Sequence, residues 1–199
     1  MDFRVRQQRE ALLAPPRYRR GERDHGRRPH EDPMSPKIHN GGDALLGAIG
    51  LGAVAGIRSM TPPALLSRAA SRGEIRGIAG TPYGFLASPR VARILTVLAV
   101  GEMSADKLPF SPDRISLPGL AGRLATGALV GAALYAADKR EGATGGALGA
   151  LSSLATSYAS YYLRTGTQQR FGLPNPAGGI VEDAIALSLG LRSLKSAKG

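Results

Sequence analysis

The chain has 199 residues, a formal net charge of +11 and a mean hydropathy of −0.09. It contains no Cys, which excludes disulfides, thiolate nucleophiles and Cys-ligated metals. His25, His30 and His39 all fall within the first 41 residues, so the rest of the chain has no imidazole for catalysis or zinc binding.

The near-neutral hydropathy is a cancellation between two unlike pieces. Residues 1–41 hold ten Lys/Arg, six acids and five prolines. They sum to about −70 on the Kyte–Doolittle scale, which leaves the other 158 residues a mean of about +0.33. With so few large apolar side chains, residues 1–41 are expected to form a disordered tail. An arm of Arg17, Arg19, Arg20, Arg23, Arg27 and Arg28 could instead bind nucleic acid or anionic lipid. The interleaved Glu22, Asp24, Glu31 and Asp32 weaken that reading and argue against a transit peptide. A start at Met34, with the preceding residues an upstream extension, is the third reading.

Residues 42–199 are expected to form one helical membrane domain. Uncharged runs follow one another at 44–57, 59–67, 94–101, 124–137, 142–163 and 184–191. About 20 apolar residues, with 17 as a working minimum, are needed to span the hydrocarbon core. The run at 142–163 reaches that length unaided, and 44–67 reaches it if Arg58 is tolerated. A soluble surface helix would show charges on one face at 3.6 spacing. The runs 124–137 and 142–163 are uncharged all round. Strands fit poorly, because Ala and Gly form them weakly and no period-2 alternation appears. The expected fold is therefore all-α: a membrane bundle of about five short, partly broken helices.

Glycine spacing points the same way. Gly52/Gly56, Gly127/Gly131 and Gly145/Gly149 are each G-x-x-x-G, a pattern that lets helix backbones approach closely where no hydrophobic effect drives association. Tyr158, Tyr161 and Tyr162 cluster as an interfacial aromatic group would, although ordinary packing accounts for them equally well. Gly50-x-Gly52-x-x-x-Gly56 is off the dinucleotide-binding spacing by one and follows no strand, so a nucleotide site is rejected.

Charges in or beside such segments are costly and mark pathways or internal pairs. Arg58 precedes Pro62 and Pro63, so the helix carrying it must break or kink near residues 58 and 59. Glu102 and Asp106, four apart, share one helical face, with Lys107 adjacent and Pro109 ending the segment. Arg58 is expected to pair with Glu102 or Asp106 and to line a polar centre. Glu182 and Asp183 open the last helix and Arg164 closes the one before it; with Lys107 these read as interfacial caps or further polar-centre groups. Broken segments at 44–67 and 142–163, each followed by a short helix bearing paired acids, hint at an internal repeat of the kind transporters use.

These motifs carry a family resemblance. Gly56-Ile57-Arg58-Ser59-Met60-Thr61-Pro62, the Glu102-Met103-Ser104-Ala105-Asp106-Lys107-Leu108-Pro109 segment and the turn Pro118-Gly119-Leu120-Ala121-Gly122-Arg123 resemble a bacterial membrane-protein family, domain of unknown function 4126. The resemblance covers roughly residues 43–194. It implies an integral membrane protein and brings no activity, ligand or catalytic residue with it.

The functional expectation is a multi-pass protein of a bacterial inner membrane, transporter-like or channel-like, with Arg58, Glu102 and Asp106 at its polar centre. The alternative is a non-catalytic scaffold that meets further copies of itself through the small-residue faces. The expected partner is the lipid bilayer, and no cofactor, metal or nucleic acid is expected. An enzyme is disfavoured, because it would have to work with carboxylates alone. With five crossings, the side that holds more Lys/Arg changes with the choice of Met1 or Met34 as the start, so orientation stays open.

Overall fold

The computed structural model describes residues 42–105, 116–171 and 175–197, with side chains at 167–178 excepted. The tail at 1–41, Asp106 and Lys107 lie outside the described residues. Among those described there are α-helices and two short 3-10 turns and no strand, as expected. The helices are α1 (Gly42–Ile57), α2 (Thr61–Ser71), α3 (Pro89–Ala105), α4 (Leu117–Ala137), α5 (Gly142–Phe171) and α6 (Asn175–Ala197).

The first expected span divides in two. Pro62 and Pro63 sit in the first turn of α2, where a missing N–H costs nothing, and the chain reverses between Ile57 and Thr61. Helix α1 runs away from Gly42 and α2 runs back. The far end of α2 and the following residues, from Ala69 to Ile78, join one apolar cluster with Leu134 and Leu194. Among the described residues the chain thus forms six helices that alternate in direction.

Helix α2 ends in a Schellman motif: Glu74 N–H donates to Ala69 O at 3.0 Å and Gly73 N–H to Ala70 O at 3.0 Å, with Gly73 at φ +73°. Helix α4 ends the same way. Arg140 N–H donates to Tyr135 O at 2.8 Å and Lys139 N–H to Ala136 O at 3.1 Å. Here the left-handed position holds Lys139 at φ +57°, and the Arg140 guanidinium lies 4.5 Å from the Tyr135 ring centroid.

Helices α1, α4 and α5 form the densely packed centre, with α6 along α1 and the α2–α3 pair beside them. Glycine ridges make the central contact. A Cβ added at Gly52 would lie 2.5 Å from Gly149 O, and one at Gly127 would lie 2.7 Å from the same oxygen. Gly131 and Gly145 face each other in the same way, and Gly56 abuts Ser153 O. These contacts make α1 parallel to α5 and α4 antiparallel to it. All six glycines of the three G-x-x-x-G pairs are thus used within one chain.

Side-chain hydroxyls from α5 stitch the seam. Ser152 donates to Ile49 O at 2.7 Å, Ser153 to Arg123 O at 2.9 Å and Ser157 to Gly56 O at 3.2 Å. Many large apolar side chains stay outside, among them Ile94 (60% exposed), Val97 (70%), Leu98 and Val100 on α3, and Ile180, Val181, Ile185 and Leu191 on α6.

Two expectations about individual segments change. Of the described helices, α4 is the one long and apolar enough to cross a membrane, at 21 residues and a hydropathy of 1.4. The uncharged run at 124–137 is lengthened toward its N-terminus through Arg123 to Leu117, whereas the Ser, Thr and Gly residues of 142–163 dilute the apolarity of α5. The internal repeat is not realised either: α1 and α2 are separated by a break, while α5 continues unbroken for 30 residues.

Candidate functional site

The break between α1 and α2 is built from backbone groups that a continuous helix would have satisfied. Arg58 N–H still closes the last turn of α1 on Val54 O at 2.8 Å. Beyond it the ladder stops, and Ser59 N–H and Met60 N–H need other acceptors. Glu102, near the end of α3, supplies both. Its Oε1 accepts from Ser59 N–H and from the Ser59 hydroxyl, each at 2.8 Å, and its Oε2 accepts from Met60 N–H at 2.8 Å. A carboxylate thus sits at the N-terminus of α2, where the helix dipole favours it. Gly56 O, which Met60 N–H would have served in an unbroken helix, accepts from Ser157 instead.

Arg58 itself is 2% exposed. Its Nε donates to Asp183 Oδ1 on α6 at 2.7 Å, a charge-assisted bond between groups 125 residues apart. Next to Asp183 in sequence, Glu182 faces Arg164 of α5 at 3.7 Å, with both side chains mostly buried. Thr61 is 2% exposed, and its hydroxyl has no hydrogen-bond partner among the described residues.

The sequence-derived site is brought together in part. Arg58 and Glu102 both reach the break without bonding each other: Arg58 meets Asp183 and Glu102 meets the backbone, while Asp106, the other expected partner of Arg58, lies outside the described residues. Arg164, Glu182 and Asp183, expected as interfacial caps or further polar-centre groups, form contacts between helices. Ser153 and Ser157 were not singled out from the sequence. Their signal is the continuation of the four-residue spacing Gly145, Gly149, Ser153, Ser157 along one ridge of α5. Arg123, 8% exposed, continues the Gly127/Gly131 ridge of α4 in the same way. Among the described residues no three acidic or imidazole side chains come together as a metal site would require.

A bundle of helices joined by glycine ridges, with a buried arginine at a chain reversal and carboxylates holding it, defines an all-α protein with a charged interior. The chain belongs to the family of the domain of unknown function DUF4126, whose model matches residues 45–196. No curated protein and no solved structure matches it.

Proposed function

We propose that this chain is an integral membrane protein, transporter-like or channel-like, with the Arg58 reversal as its polar centre. The observation that carries the reading is the pairing of a charged, hydrogen-bonded break with an apolar exterior. Large aliphatic side chains face outward on α3 and α6, while glycine, alanine, serine and the Arg58–Asp183 pair face inward. That distribution suits hydrocarbon surroundings and leaves polar groups only where protein encloses them.

Helix lengths support a re-entrant first hairpin. The 16 residues of α1 rise about 24 Å and the 11 of α2 about 16 Å, both short of a roughly 30 Å core. Ser157, level with the break, lies about half-way along α5. The tip carrying Arg58 would then sit at mid-depth, where broken helices hold the sites of many transporters. Asp106 and Lys107 extend the candidate centre in sequence beyond Glu102.

Membrane fractionation is the first test; a protein that is monodisperse without detergent overturns the reading. The second is proton and ion flux through the protein in liposomes. Flux that disappears in Glu102→Gln supports a transporter-like or channel-like centre, and no flux from correctly folded wild type overturns it in favour of a scaffold. Because the glycine ridges are filled within the chain, a scaffold would meet further copies through exposed apolar faces instead, such as Ile94, Val97 and Leu98 on α3 or Ile180 and Val181 on α6.

A further inference from the structure

The alternating run of the six described helices gives the bundle two chemically unequal ends. One end holds the start of α1, the α2–α3 connection, the α4–α5 turn and the end of α6. This follows from Gly77 meeting Ala137, Gly47 meeting Ala197, and Ile75, Ile78, Leu134 and Leu194 sharing one cluster. Nine exposed basic residues ring it, from Arg68, Arg72 and Arg76 through Arg90, Arg93, Lys139 and Arg140 to Arg192 and Lys195. The same end carries four acids, Asp43, Glu74, Asp138 and Glu141. At the other end the described basic side chains are Arg123 and Arg164, both mostly buried, with Arg58 inside. The stretch 106–116 adds Lys107 and Arg114 in sequence, and α5 adds Arg170.

We propose that the arginine- and lysine-rich end is a docking surface for the anionic phosphate headgroups of the cytoplasmic leaflet, so that Gly42 and Ala197 both face the cytoplasm. The inference rests on the membrane reading above and adds the direction of insertion to it. Arginine and lysine are retained on the cytoplasmic side of membrane helices, and a collar of them gains from a negatively charged surface. In sequence, residues 1–41, with ten Lys/Arg against six acids, precede Gly42. Starting at Met1 or at Met34 therefore no longer changes the answer. The even number of described helices removes an ambiguity that five crossings created.

The absence of Cys makes the test direct, since single cysteines can be placed without background. Glu141→Cys marks the basic end and Ser116→Cys the other. The probe is a membrane-impermeant maleimide applied to spheroplasts of a bacterial host, before and after lysis. The expected result is labelling of the Ser116→Cys protein in intact spheroplasts and of the Glu141→Cys protein only after lysis. The reverse pattern overturns the orientation. If both stay protected in membrane-bound protein, the two ends do not lie on opposite sides and the proposal fails. Protein recovered wholly in the soluble fraction overturns the membrane reading itself, a distinguishable outcome. A variant with Arg72, Arg76, Arg90 and Arg93 each changed to Glu should expose the Glu141→Cys site in intact spheroplasts. Unchanged labelling in that variant would overturn the role given to the collar.

Discussion

Arg58 on the first helical hairpin and Asp183 on the last helix hold each other at 2.7 Å, 125 residues apart in sequence and almost wholly out of solvent. Removing one partner of such a buried pair costs about 3–5 kcal/mol. Arg58→Ala and Asp183→Ala should each lower stability by that order in detergent unfolding. The Arg58→Ala/Asp183→Ala double variant should lose less than the sum of the two single losses, because the shared contact is counted once. Single variants as stable as wild type would show that the contact contributes little.

Glu102 makes a different kind of prediction. Its two oxygens accept three hydrogen bonds from Ser59 and Met60. In Glu102→Gln one oxygen becomes an NH2 group, which cannot accept, and the negative charge at the start of α2 is lost. A loss of about 1–3 kcal/mol is expected, the cost of leaving a buried donor unsatisfied. Amide hydrogen exchange at Ser59 and Met60 should speed up while α5 stays protected. Equal protection in variant and wild type would contradict the capping role.

The glycines divide into two groups by what surrounds them. An added methyl at Gly131 or Gly149 meets the backbone of the facing helix, so Gly131→Ala and Gly149→Ala should each cost about 1–3 kcal/mol. Nothing lies within 4 Å of a methyl added at Gly101 in α3, so Gly101→Ala should stabilise by roughly 0.5–1 kcal/mol. Thermal unfolding of the three variants side by side reads the contrast, and equal effects would remove the case for a glycine seam.

Lys139 holds a left-handed conformation, φ +57°, at the end of α4. That backbone costs an L-residue about 1–2 kcal/mol, and glycine removes most of it. Lys139→Gly should therefore raise the unfolding temperature, with Arg140 still stacked on Tyr135. A lower unfolding temperature would mean that the lysine side chain supplies more than its backbone costs.

Much of the helical content was legible in the chain before folding, because it depends on local chemistry. Uncharged Ala/Gly/Leu runs read as helices, Pro62 and Pro63 marked the break, and G-x-x-x-G spacing marked the faces that pack. Polar residues on the same ridges were harder to see. Ser153 and Ser157 look like unremarkable helix residues until the carbonyls they serve, Arg123 O and Gly56 O, arrive from other helices. The length of α4 was also hidden, since Arg123 ended the uncharged run although the helix passes through it.

The sequence by itself determined that the chain is helical, that small residues line its contact faces and that Arg58 falls at an interruption. Those properties follow from side-chain size, backbone N–H supply and periodicity within a few residues. Only the tertiary structure decided that the interruption is a reversal, that Asp183 meets Arg58 while Glu102 serves the freed backbone, and that the glycine faces close on one another inside one chain. The reason is physical: a break frees backbone groups and strands a charge, but which distant carboxylate satisfies each depends on how six helices pack. Nothing local in the sequence encodes that choice.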